Sequence, residues 1–557
     1  MPEGDWEALE GEVRELAHRV AQLEAHLGLP AYTAQPPTAD LAIPLDPVAP
    51  AENPSLFPIA GRALLGLAGA YLLRSLAEGG TISPVAGAAA GILYAMAWLV
   101  WAARTPAARW LEAAVHSLTA VLILSPLLWE ATTKFHTISS WTASAMLMVF
   151  GTFGLTVSWR KNLLIVATIA TLAVLGTSGA LLLATHDLPP FTTVLLEMAA
   201  AVETSACLNH WLSERWLAAA AADLSVLLAM ELVTGERGLP EVYAPIADSW
   251  LICALVALLA IYLISTIVRT LMRGFTFTGF EIAQSVVAFA IVLDGGLRLS
   301  TTDPRLAPAI GTLVLIAAAA CYVVSFLILD RQASPRNFYT YSTFAIVLVL
   351  VGSRILLGAN ASFAWYALAA ASSAAGWYDG RMTLALHAAG FLLLALITSG
   401  AVQDAGTLLL GAPPELGVGH PALWIGGLVA ILCYVLTRRD FTAARLVLAA
   451  ASTGLCAGIA AGCLTVVYHQ TFGAEASHAY CATLRTTVPA ALALLLAWAA
   501  SRWKYPEFSR LIYPVMILGA YRLCTQDLHE QKTALFLSLL VYGATLTSLP
   551  RLKRATR

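Results

Sequence analysis

From Phe57 to the C-terminus the chain is a succession of apolar segments separated by short polar breaks, most of them near the length that crosses about 30 Å of hydrocarbon as a helix. The pattern predicts about eighteen spans. The first nine cover 57–77, 84–103, 108–131, 140–158, 162–184, 190–212, 215–234, 243–268 and 279–299. The remaining nine cover 306–329, 337–358, 361–377, 382–402, 422–437, 443–468, 480–501, 508–527 and 532–549. The expected fold is therefore all-α, a polytopic integral membrane domain over residues 58–549 with a short basic tail at 550–557.

A different period precedes it. Trp6, Leu9, Val13, Leu16, Val20, Leu23 and Leu27 alternate spacings of three and four, the seam of a heptad repeat. Val at a with Leu at d favours a parallel two-stranded coil, and Arg19 and Glu24 occupy positions that pair between chains. Asp5 and Glu10 would repel, which frays the first heptad. The seam predicts a cytoplasmic helix over 1–28 and a homodimer through residues 6–27. The alternative is an amphipathic helix folded onto the membrane or its own domain, but the polar face is acidic, which disfavours an anionic surface. Residues 29–57 then form a linker. Eight prolines between Gly28 and Pro58 exclude a helix and predict an extended tether.

Composition fixes the solvent. Hydrophobic residues make up 59% and charged residues 12% of the chain, half the share typical of soluble domains, so lipid must surround most of it. A net charge of −2 and the lack of basic tracts with aromatics give no nucleic-acid surface. The eight cysteines all fall in apolar segments without a C-x-x-C pair beside His, and read as small buried hydrophobes. No signal peptide is read before the first apolar run, so the segment preceding it is expected to stay in the cytoplasm.

The loop charges give an independent check. With the N-terminus inside, the cytoplasmic loops and tail hold twenty Lys and Arg, Arg160, Lys161, Arg215, Arg269, Arg381 and Arg445 among them. The opposite loops hold Lys134, Arg237, Arg305 and Lys532. This bias predicts an even span count, both termini cytoplasmic and a bacterial inner-membrane location. Trp98, Trp159, Trp216 and Trp503 fall near the inner ends, as an aromatic belt would.

Six Arg remain inside the spans. Arg62 lies near an inner end, where it snorkels. Arg74, Arg298, Arg354, Arg485 and Arg522 all fall in the outer half of the membrane. Gly295-Gly-Leu-Arg298, Gly352-Ser-Arg354 and Gly519-Ala-Tyr-Arg522 each follow an apolar run, which hints at a repeated hairpin unit. Glycine there would admit a neighbouring helix or a ligand. Acids share the level: Glu130, Glu197, Glu231, Asp248, Asp294, Asp404 and Asp527. Asp294 and Arg298 are four apart and can pair along one face; Asp527 is five beyond Arg522. Intramembrane charges face protein or water. Two readings are open: an outward cavity of guanidinium forks for an anionic small molecule or a lipid-linked ligand, or structural Arg–acid pairs that lock helices together. A second group nearer the cytoplasm comprises Glu112, His116, Asp223, Glu281, Gln284 and His387, read mainly as structural; Glu112 and His116, four apart, also suit a proton relay that Glu203 would connect to the outer level.

Walker A, H-E-x-x-H, G-x-S-x-G and EF-hand patterns are absent, and no soluble segment is long enough for a nucleotide-binding fold. No cofactor or metal is expected, and an enzyme is disfavoured. The external segment from Gln403 to Pro421 is the longest and is too short for a large extracytoplasmic domain.

The order coiled coil, proline-rich linker and long helix array resembles an uncharacterised family of bacterial multi-pass membrane proteins. The motif carrying the likeness is Gly61-Arg-Ala-Leu-Leu-Gly-Leu-Ala-Gly-Ala-Tyr-Leu-Leu-Arg74-Ser-Leu-Ala-Glu78-Gly-Gly. The resemblance implies the fold and no activity. Three functions stay open: a transporter-like or flippase-like protein handling an anionic cell-envelope substrate, a scaffold assembling through the coiled coil, and a lipid-linked glycosyl or phosphoryl transferase using Glu130, Glu231 or Asp527.

Overall fold

A computed structural model describes residues 56–210, 212–301, 303–332, 334–410, 418–473, 478–526 and 532–554, with Glu15, His18 and Arg19. Those three residues are helical and exposed. The seam from Trp6 to Leu27, most of the 29–57 linker, Asp527 and residues 555–557 lie outside the described residues. The chain divides into two units, 1–66 and 67–557, and the second holds nearly all of the helix array.

The described residues are helical, without strands. The α-helices are α1 (Leu56–Glu78), α2 (Pro84–Arg104), α3 (Trp110–Trp129), α4 (Ser140–Lys161), α5 (Leu164–Thr185), α6 (Leu188–Cys207) and α7 (Arg215–Thr234). They continue as α8 (Asp248–Ile267), α9 (Gly279–Leu299), α10 (Leu306–Val323), α11 (Pro335–Leu357), α12 (Ala361–Asp379) and α13 (Met382–Thr398). The last are α14 (Ala401–Leu410), α15 (Pro421–Leu436), α16 (Thr442–Phe472), α17 (His478–Trp503), α18 (Pro506–Thr525) and α19 (Lys532–Arg554). Each expected span therefore contains a helix.

Local chemistry sets the ends. Ser83 caps α2 by accepting the Ala86 N–H at 3.2 Å, with Pro84 supplying a fixed φ at the first position. Asn162, left-handed at φ 53°, ends α4 and lets α5 begin two residues later. Consecutive helices pair as hairpins: α2 with α3, α4 with α5, and so on through α12 with α13, then α15 with α16 and α17 with α18.

Among the described residues, twelve helices are long and apolar enough to cross a membrane, or thirteen if a bent pair counts as one, against the eighteen expected. The difference has identifiable sources. Among them, α15 and the apolar part of α19 are short, and α11 and α12 join through Gly358–Asn360 into one helical stretch of 45 residues. A straight helix of that length would run about 68 Å, over twice the hydrocarbon thickness. Trp365 Nε1 donates to Ser353 Oγ at 2.7 Å, although a straight helix would hold those residues roughly 18 Å apart. The stretch must bend sharply at Gly358, so α11 and α12 are separate elements.

The expected external segment from Gln403 is partly helix instead. α13 and α14 form the bent pair, at 65°. α14 packs on α16 where the Gly458-Ile-Ala-Ala-Gly462 stripe faces it; a Cβ on Gly458 would fall 2.6 Å from Ala405 Cα. Small residues at this spacing are how helices approach closely in a bilayer. The glycines beside the Arg residues behave likewise. Gly295 meets Met230 and Leu255, Gly352 meets Leu315, and Gly519 meets Tyr542, so neighbouring helices occupy those notches.

The cysteines are all free, and only Cys433 and Cys481 are buried. Cys253, Cys456 and Cys524 are exposed, which corrects their reading as buried hydrophobes. An apolar segment has a lipid-facing side, and composition does not separate it from the packed one.

Candidate functional site

The five Arg residues do not meet in one place. Arg74 stands at the end of α1, where Nη2 lies 2.8 Å from Glu130 Oε1 and Nε lies 3.0 Å from Glu78 Oε1. Glu130 opens a five-residue π-helical turn, Glu130–Lys134, that continues α3 beyond Pro126. Such turns shift the helical register and are frequent at functional sites. Beside the three charges is a cavity of about 350 Å³ walled by α1, α2, α3 and the turn. Leu67, Ala70, Gly87, Gly91, Leu122 and Leu127 line it, with Arg74, Glu78 and Glu130 along its polar edge. Tyr71, Leu122 and Phe135 are exposed, so the cavity is an open groove. Gly87 and Gly91 let Ala77 of α1 and Leu127 of α3 close on α2.

Arg298 is held on α9 by Asp294 at 2.9 Å, the predicted i,i+4 pair, and by Glu231 of α7 at 2.8 Å. All three remain half-exposed. Arg354 is exposed near the end of α11, with no ion pair among the described residues. Arg485 and Arg522 converge on one turn of α17. Arg485 Nε donates to Thr465 Oγ1 at 3.0 Å. Arg522 donates to Thr486 Oγ1 and the Ala482 carbonyl, both at 3.1 Å, and to the Leu409 carbonyl. Leu409 lies in the last turn of α14, where carbonyls lack helical partners and the dipole is negative. Arg522 thus caps the bent pair. Asp404 of α14 contacts His420 at 2.9 Å.

The most connected polar site is one that the charge count assigned to loops. Arg215, the first residue of α7, places Nη2 2.7 Å from Glu203 of α6 and Nη1 2.8 Å from Glu281 of α9. Arg269, in the π-helical continuation of α8, reaches the same Glu281 oxygen at 2.8 Å and bonds the Ala206 carbonyl. Ser265 donates to Glu203 Oε2 at 2.5 Å. Glu281 also completes a capping box with Thr278, accepting its N–H on Oε2 at 2.6 Å and leaving Oε1 to the guanidiniums. Arg215 stacks over Phe280 at 4.2 Å. All four charges are buried, and they clasp hairpin α6–α7 to hairpin α8–α9.

Two turns further along α7, Asp223 accepts from Gln284 Nε2 at 2.8 and 3.0 Å. Arg445 repeats the theme elsewhere, bonding Glu507, Tyr434 and the Thr437 carbonyl, each at 2.7 Å. Arg215, Arg269 and Arg445 are therefore corrected from cytoplasmic loop charges to buried ion pairs. A signal was available: Glu203 and Arg215 are twelve apart, as are Arg269 and Glu281, and each pair faces across the short connection between two consecutive helices.

Of the second group, His116 is buried beside Trp98 and Trp101 with Thr105 Oγ1 at 3.4 Å, and Glu112 lies 3.8 Å from Arg109. His387 bonds Tyr322 at 3.1 Å. Glu214, just outside α7, is buried, and burial raises its carboxyl above the usual range against the opposing bond from Thr168. No protein-family model, curated protein or solved structure matches this chain.

Proposed function

We propose that the chain is a transporter-like or flippase-like membrane protein, with about eighteen crossings and both termini cytoplasmic, whose groove between α1, α2 and α3 takes the head of an envelope amphiphile. The observation that carries this reading is the pairing of a mostly apolar groove of about 350 Å³ with one guanidinium and two carboxylates at its edge. Ligand pockets of this size typically combine apolar walls with a few oriented polar groups. With all three groups ionised the edge carries one net negative charge, so a purely anionic head would meet two carboxylates for one guanidinium. A zwitterionic head, with phosphate toward Arg74 and an ammonium toward Glu78 and Glu130, fits better. The tail lies along Leu67, Leu122 and Leu127, reached from the bilayer through the open side. The coiled coil would assemble two copies.

Native mass spectrometry of the protein released from bilayers tests this. Lipids with phosphoethanolamine heads should stay bound in preference to lipids with phosphoglycerol heads, and Ala70→Phe, which fills the groove, should abolish the preference. Equal retention of both lipids, or a preference that survives Ala70→Phe, would overturn it.

A scaffold reading draws support from the buried clasps at Arg215 and Arg445, which join helices without leaving a free polar group. It accounts for those two sites but gives the groove no occupant.

A further inference from the structure

We infer that Asp223 is a proton-binding site, at which a carboxyl buried between α7 and α9 takes up and releases a proton. The inference goes beyond the groove, with which it shares no residue.

The first argument is charge. Glu203, Arg215, Asp223, Arg269 and Glu281 are 3%, 3%, 7%, 3% and 2% exposed. These three carboxylates against two guanidiniums leave one negative charge among buried groups packed on Val226, Leu255, Leu258 and Ala288, with Gln284, Ser265 and Tyr262 as neutral polar neighbours. An uncompensated charge in such surroundings is costly enough that the group neutralises instead. The second argument is position. Glu203 and Glu281 each bond a guanidinium, whereas the only hydrogen-bond partner of Asp223 among the described residues is the Gln284 amide. The proton therefore settles on Asp223. An amide also suits exchange, since its N–H donates to the carboxylate and its carbonyl, once the amide flips, accepts from the acid.

The groups around Asp223 come from each packed helix. α6 carries Glu203 and, six residues before it, Glu197, whose Oε2 is buried without a hydrogen-bond partner among the described residues; α8 carries Tyr262, α9 Gln284 and Glu281, and α7 itself Arg215; α5 has no ionisable side chain. The Tyr262 hydroxyl is buried without a hydrogen-bond partner among the described residues and lies within electrostatic reach of Asp223, Glu203 and Arg215.

Infrared difference spectroscopy on protein in lipid vesicles, titrated with acid, reads the carboxyl directly. Wild type should show a protonated-carboxyl C=O band that bleaches as pH rises, and Asp223→Asn should lose it. Gln284→Leu removes the amide that stabilises the carboxylate and should move the titration to higher pH. Should Asp223→Asn fail to fold, the Gln284→Leu shift decides alone. An unchanged band in Asp223→Asn, no shift in Gln284→Leu, or a wild-type response to sodium concentration and not to pH would overturn the proposal, the last by assigning the charge balance to a cation. Lipid retention in the groove is read separately and is expected to be unaffected by Asp223→Asn.

Discussion

Arg215 and Arg74 each hold two carboxylates within 3.0 Å, yet the two arrangements do different work. The Arg215 side chain is 4% exposed and its partners 4% and 1%, with Ser265 and the Thr278 cap taking up other oxygens of the acids. Arg74 is 39% exposed, its acids are 47% and 22% exposed, and a groove lies beside them. Buried charge that is fully bonded fixes helix positions, and removing one member leaves the others stranded. Half-open charge contributes little to stability and keeps lone pairs and protons available to a visitor. Arg and acid content alone does not separate a joint from a site; the solvent or lipid left around it does.

The largest effect that sharpens this contrast is Arg215→Ala, which strands Glu203 and Glu281 and should cost about 3–5 kcal/mol in detergent unfolding experiments. A loss below about 1 kcal/mol would mean that the clasp is not closed in solution. Gly458→Val probes a joint made of shape rather than charge. Its side chain would meet the α14 backbone, and an overpacking cost of about 1–3 kcal/mol is expected, read by the same unfolding. Arg74→Gln should lower stability by less than about 1 kcal/mol while abolishing selective lipid retention. The reverse outcome would make the groove a joint as well. The smallest effect is at Glu214. Its carboxyl is raised in the folded state, so the folded protein binds more protons than the unfolded chain between the ordinary glutamate pKa and the raised value. Stability should fall slightly as pH rises through that window, and Glu214→Gln should flatten the slope.

Much of the architecture was legible in the sequence. Apolar length located a helix in every expected span, and the Asp294–Arg298 pair follows from a spacing of four. The illegible part has two causes. Glu231 and Arg298 are 67 residues apart, and Arg215 and Glu281 are 66 apart, so no local periodicity links them. Arg215, Arg269 and Arg445 stand at helix ends, where a buried clasp and a positive-inside loop charge have the same sequence signature. α14 was missed because ten residues are too few to register as a span.

The order of synthesis gives the α14 capping a cost in time. The Leu409 carbonyl emerges 113 residues before the Arg522 that bonds it, a gap of about 6–23 s at ribosomal speed. The glycine stripe of α16 that α14 packs against also comes later in the chain. During that interval the half-helix has exposed end carbonyls and no partner, so it must wait at the translocon or the membrane surface. Chains arrested on the ribosome before residue 440 should leave α14 open to proteolysis, and chains extended past Arg522 should protect it.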